Sequence, residues 1–314
     1  MRHASPAASL AFLAALASSA PAFAQATHVL VVTGVPGDED HARKFQQWAT
    51  TFIDAAKTKE GVPAANITFL SDRGATKPAV EKAFGDIAAK AKANDEVFIL
   101  LVGHGSFDGT VAAFNLPGPD LTADDYARLL TRFAAQRVVF VNTSSSSGAF
   151  LKPLAGPGRV IVTATKTGGE RNETDFPQYF VAAFTDEAAD RDRNGHVSVG
   201  EAFEYARTKV TEAFQKKGLL LTEHATLDDG GEGRLASTIF LGSGGAAAAL
   251  HVDTNDPDMR ALVDERDAID RQIVELRARK GTMDQARYDA EMERLLTELA
   301  VKTKEIRDRQ AKKQ

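Results

Sequence analysis

From His28 to about Gly242 the chain alternates short β-branched apolar runs with longer stretches whose apolar residues recur every three or four positions. Short runs of that kind are buried strands, and the intervening stripes are helices lying on them. The predicted strands are 28–33, 67–70, 96–103, 137–142, 159–164 and 237–241. The first predicted helix, 39–57, carries Phe45, Trp48, Ala49 and Phe52 on one stripe. A second, 76–92, starts at Thr76 with Pro78 inside its first turn, and a third opens at Thr122 with acids where the helix dipole favours them. Strand and helix in regular alternation specify an α/β fold, a mostly parallel six-stranded sheet with helices on both faces.

Beyond Gly242-Ser243-Gly244-Gly245 and an alanine run, the pattern turns to charged, helix-forming residues over 258–314. Leu262, Ile269, Ile273 and Leu276 form one apolar seam; Tyr288, Met292, Leu295 and Leu299 form another after Lys280-Gly281-Thr282. Two seams about a glycine break predict an antiparallel helical hairpin, a short coiled coil. It either closes on itself or on the main domain, or serves as a partner-binding or self-associating arm, and seams of about two heptads favour closure.

Composition narrows the class. Met1-Arg2-His3, an alanine- and leucine-rich run and Pro21-Ala22-Phe23-Ala24 have the form of a secretory signal peptide, cleaved after Ala24, which places the remainder in the periplasm or outside a bacterial cell. The domain following it is expected over 25–245. The 314-residue chain contains no cysteine, so an exported fold is held by its core rather than by disulfides. A formal net charge of −5 without a basic stripe argues against nucleic acid as a partner. No later segment has the length and apolarity of a membrane span.

Two polar clusters follow predicted strands. The first run leads into Gly103-His104-Gly105, and the second, 138–141, leads into Asn142-Thr143-Ser144-Ser145-Ser146-Ser147-Gly148. In a parallel sheet the crevice beyond the carboxyl ends of the strands is where reactive groups meet. A histidine base can face a hydroxyl nucleophile there. Read conservatively, the histidine is structural and the serines are loop and helix-cap residues.

The segment 98–109, F-I-L-L-V-G-H-G-S-F-D-G, resembles the legumain and caspase-like cysteine peptidases, whose nucleophile follows the next strand in a pattern ending Cys-x-Ser-Gly. Laid on Ser145-Ser146-Ser147-Gly148, that pattern puts Ser145 where the family has cysteine. The resemblance spans about 28–242 and implies a caspase-like three-layer fold, a peptide or protein ligand, His104 as general base and Ser145 in the nucleophile position. It implies an oxyanion hole of backbone N–H groups near Gly105 and Ser145, with support from Asp108, Asn142, Ser147 and Gly148. The strand and loop holding Thr163, Thr165, Glu170, Asn172 and Glu173, together with Arg73, are the candidate substrate pocket. In the resembled peptidases a charged pocket selects Asn, Asp or basic residues.

The missing sulfur changes the chemistry. A thiol with a pKa of about 8.5 becomes a thiolate beside a histidine, whereas a hydroxyl must lose its proton during attack and needs an oriented base. Asp108 is the acid nearest His104 in sequence. Three readings stand: an inactive or weak peptidase homologue, a serine-type hydrolase using Ser145 and His104, and a protein-binding module without catalysis.

The twelve residues 190–201, D-R-D-R-N-G-H-V-S-V-G-E, fit an EF-hand calcium loop. Asp190, Asp192, Asn194, Ser198 and Glu201 supply side-chain oxygens, His196 a backbone carbonyl, and Gly195 the sharp turn. Flanking helices are expected over 176–189 and 199–214. A solvated helix-loop-helix turn is the alternative. The acidic stretch 228–233 lacks that spacing and reads as a solvated turn. No organic cofactor is indicated.

Overall fold

A computed structural model describes residues 26–93, 95–191, 195–231, 235–242, 256–279 and 283–311. The predicted leader, Asp192 and Asn194, and the break at 280–282 lie outside the described residues.

The central sheet contains β1 (Thr27–Thr33), β2 (Ile67–Leu70), β3 (Glu96–Val102), β7 (Arg137–Asn142), β8 (Arg159–Thr163) and β9 (Thr226–Asp228), in the order β2-β1-β3-β7-β8-β9. The pairs from β2 to β8 are parallel and β9 runs antiparallel to β8. Successive strand residues point to opposite faces, and both faces are apolar. Val29, Val31, Phe98, Leu100, Val139 and Val141 pack under α1 (Glu39–Thr58), α5 (Phe176–Ala183) and α6 (Val199–Lys216). Their neighbours Leu30, Val32, Ile99, Leu101, Val138 and Phe140 pack under α2 (Lys77–Lys90), α3 (Ala123–Leu130) and the short α4 (Leu151–Leu154). Helix, sheet and helix make the three expected layers.

The first five predicted strands fall within a residue of their observed bounds. The sixth does not. Residues 237–241 form part of a 3-10 turn, Ala236–Thr238, followed by one antiparallel bridge from Phe240 to Ser198. The Val199 N–H donates to the Ile239 carbonyl, so this segment pairs with the loop before α6 while Thr226–Asp228 takes the sheet edge. A second sheet was not foreseen: β4 (Gly105–Phe107), β5 (Ala112–Phe114) and β6 (Leu121–Thr122) pair antiparallel directly after His104. Strands of two or three residues are too short to show a period. The helix expected over 176–189 also ends early, at Ala183; Asp186 then accepts the Ala188 N–H and caps a separate 3-10 turn, Glu187–Ala189.

Beyond the domain, α7 (Pro257–Ala278) and α8 (Gln285–Ala311) pack on one another. Ile269, Ile273 and Leu276 meet Tyr288 and Leu295 near the break, and Met259 and Val263 meet Ile306 at the far end, as an antiparallel pair requires. The two seams bury each other. Among the described residues no helix is long and apolar enough to cross a membrane.

Candidate active site

The chain leaves β1 toward one side of the sheet and β3 toward the other, so a crevice opens between their carboxyl ends. His104 stands in it. Its Nε2 lies 3.1 Å from the Pro36 carbonyl, in the loop after β1. A carbonyl only accepts, so Nε2 carries a proton, and in the neutral tautomer that makes this bond Nδ1 has the lone pair. The ring is held edge-on by Phe45 and His41 from α1, at centroid distances of 5.2 and 4.8 Å.

Close approach requires the glycine at 105 and leaves little room for a side chain at 103. A Cβ on Gly103 would stand 3.0 Å from the Gly34 nitrogen, and one on Gly105 only 2.3 Å from the Ser145 carbonyl oxygen. That contact joins the two motifs. The Ser145 hydroxyl donates to the Gly105 carbonyl at 3.1 Å, and the Gly105 N–H points back at Ser145 Oγ at 3.4 Å. His104 and Ser145 line one cavity, and in the resting arrangement the hydroxyl proton is directed at a carbonyl rather than at the imidazole.

The other residues of the serine cluster are mostly scaffold. Asn142 Oδ1 accepts both the N–H and the hydroxyl of Ser144, while Ser147 Oγ lies 3.3 Å from Thr165 Oγ1, which also accepts the Gly148 N–H. Thr163 donates to the Thr165 carbonyl. Ser146 is the exception, with φ of +58° and a buried hydroxyl that has no partner among the described residues.

Asp108 does not orient His104. Its carboxylate accepts the N–H groups of Thr110 and Val111, closing the turn between β4 and β5, and these bonds hold its pKa below the ordinary value. The place behind the imidazole belongs to Pro36. Of the predicted pocket residues, Glu173 lines the cavity. Glu170 binds the His224 ring and N–H, Asn172 reaches the Thr222 hydroxyl, and Arg73 sits in the exposed turn after β2, so none of these three is in its wall.

The sequence reading passed over several residues that shape the site. Phe45, Trp48, Thr174 and Pro177 complete the cavity wall. His41 lies between two carboxylates, with Nδ1 2.6 Å from Asp38 and Nε2 3.2 Å from Glu173, which also pairs with Lys44 at 3.1 Å. The Asp38 hydrogen bond raises the His41 pKa above the usual imidazole value against partial burial, and Glu173 adds to it. His41, Phe45 and Trp48 share a helical stripe beginning just beyond the carboxyl end of β1, which is the available sequence signal. Opposite them, the buried Glu223 accepts the N–H groups of Asp175 and Phe176 at the start of α5; burial still pushes its pKa up to about 7.

A comparison with curated protein sequences returns no match. A family model described as the peptidase C13 family matches residues 69–226, about half of the chain. The matched span contains both His104 and Ser145, while β1, Pro36 and α1 precede it. The chain belongs to the peptidase C13 family.

Proposed function

We propose that this chain is an exported peptidase C13 homologue that keeps the fold and peptide cleft of its family and has weak or no hydrolytic activity because Ser145 stands in the nucleophile position. The observation that carries the reading is the pairing of that hydroxyl with the Gly105 carbonyl while His104 is backed by a neutral carbonyl from Pro36. A thiol tolerates such a base because it reacts as the thiolate. A hydroxyl depends on general-base removal of its proton, and in serine triads loss of the properly oriented carboxylate costs on the order of 10⁴-fold in rate. If attack occurs, His104 Nδ1 takes the Ser145 proton, Oγ adds to the peptide carbonyl, and the Gly105 N–H faces the developing oxyanion.

A fluorophosphonate probe should leave the wild type unlabelled, and Ser145→Cys should gain peptide cleavage that His104→Ala abolishes. Labelling of the wild type that disappears in Ser145→Ala would instead establish a serine hydrolase. An inert Ser145→Cys variant would leave the cleft as a binding surface.

Two further assignments belong to this reading. Residues 1–24 act as the export leader, so the exported protein should begin at Gln25 on N-terminal sequencing. Residues 190–201 bind calcium in a structural role. In support, Gly195 turns at φ of +90°, its N–H donates to Asp190 Oδ2 at 2.8 Å, and Glu201 accepts the Arg191 N–H. These bonds bring the first and last positions of the loop together, with Asp190, Ser198 and Glu201 as described oxygen donors; the ion would supply charge neutralisation and rigidity to the turn. Calcium should raise the melting temperature of the wild type and not of Glu201→Gln. Absence of a calcium titration heat in the wild type would overturn the assignment.

A further inference from the structure

We infer that the cavity beside His104 selects peptides with a small uncharged side chain, glycine or alanine, on the residue whose carbonyl faces Ser145. This rests on the peptide-cleft reading above and specifies its ligand. The cavity touches His104 and Ser145 together, so a carbonyl placed against Ser145 directs its adjoining side chain into that space. The volume is about 10 Å³, roughly the room that one water molecule requires. A methyl group fits with slight adjustment. A branched aliphatic, a carboxamide or a basic chain does not.

The buried part of the wall is fixed by the fold, while Trp48 is half-buried and Glu173 exposed. Phe45 is buried in the core and packs against both His104 and Trp48, with the latter ring 6.0 Å away. Pro177 is buried in the first turn of α5, and Thr174 is tied by its hydroxyl to the Thr143 carbonyl at 2.6 Å. Retreat of any of these would disturb α1, α5 or the end of β7, where packing is dense.

Charge acts in the same direction as size. Glu173 lies on the wall and is kept anionic by Lys44 and His41, which outweigh the effect of its burial. Glu173, Lys44 and His41 already neutralise one another, so neither an acidic nor a basic side chain entering the cavity finds an unpaired counter-charge on the described part of its wall. The charged selection of the resembled peptidases therefore has no counterpart here.

Trp48 is the only tryptophan of the chain and forms part of this wall, so occupancy can be followed by its fluorescence without turnover. Acetylated tetrapeptides ending in alanine, glycine, leucine or aspartate would be titrated into full-length Ser145→Ala protein. Alanine and glycine peptides should shift the Trp48 emission saturably, with affinity at least about tenfold above the leucine and aspartate peptides, the discrimination that a tight pocket gives per misfit group. Equal affinity for the leucine or aspartate peptide, or no response to any of the four, overturns the inference.

A cleavage assay separates this inference from the peptidase reading. Ser145→Cys should prefer alanine substrates, and Trp48→Ala in that background should move the preference toward leucine by about tenfold or more in kcat/KM. Indifference of Ser145→Cys to side-chain size would reject the selection while sustaining the peptidase reading. Alanine-selective binding with an inert Ser145→Cys would do the reverse.

Discussion

Ser146 is the residue where local rules are broken beside the candidate nucleophile. A side chain at φ of +58° costs about 1–2 kcal/mol relative to an ordinary helical conformation, and a buried hydroxyl without a partner among the described residues adds to the penalty. The turn persists because its neighbours determine it: the Ser146 N–H donates to the Glu170 carbonyl, and Gly148 lies against the backbone of Lys166 and Thr167. Ser146→Gly should stabilise the protein by about 1 kcal/mol in urea unfolding after the added freedom of the unfolded chain is subtracted. Ser146→Ala, which removes only the hydroxyl, should gain less. The serine run itself carries no sign of this, because all four serines look alike until a backbone assigns one to Asn142, one to Gly105, one to Thr165 and leaves one without a partner among the described residues.

Elements meet the site through their ends. Helix α1 begins at Asp38, which caps the His41 N–H and also holds the His41 ring, so one residue both starts the helix and positions the ring that packs against His104. Helix α5 begins against Glu223, a carboxylate from the segment leading to β9. The Glu223 pKa rises from its ordinary 4.5 to about 7, so between these values the folded state holds the proton more tightly than the unfolded chain. Its contribution to stability is therefore complete below about pH 4.5, declines as pH rises, and is lost above about pH 7, for a total of about 3 kcal/mol. Urea unfolding from pH 4.5 to 8 should show that decline in the wild type and a flatter profile in Glu223→Gln; parallel profiles would count against it. The strands β1, β2, β3, β7 and β8 and the long helices were readable from periodicity, whereas β4, β5, β6 and β9 were not, because strands of two or three residues carry no period and exist through pairing.

At the scale of the whole molecule there are two cores on the two faces of one sheet and separate seams in the hairpin. Helix α7 touches the domain beside the Ala236–Thr238 turn, but its buried residues are committed to α8. A chain ending at Gly242 should thus retain a cooperative unfolding transition and the Trp48 emission of the full-length protein, while losing helical circular dichroism in proportion to the removed residues. A red-shifted emission in the shortened chain would show that the hairpin supports the cleft. Light scattering of the full-length protein should give a monomeric mass, since the central seam residues Ile269, Ile273, Leu276, Tyr288 and Leu295 are already buried within one chain.

The sequence by itself determined the α/β class, the five parallel strands, the hairpin and the two motifs that meet in the crevice, because each is written in apolar spacing or in a polar run that directly follows an apolar strand. The tertiary structure decided what those motifs touch. Pro36 rather than Asp108 stands behind His104, Gly105 rather than the imidazole receives the Ser145 proton, and Phe45, Trp48 and Pro177 reduce the cavity to about 10 Å³. Such contacts join residues distant in sequence, and their distances follow from how helices settle on a sheet, which local spacing does not encode.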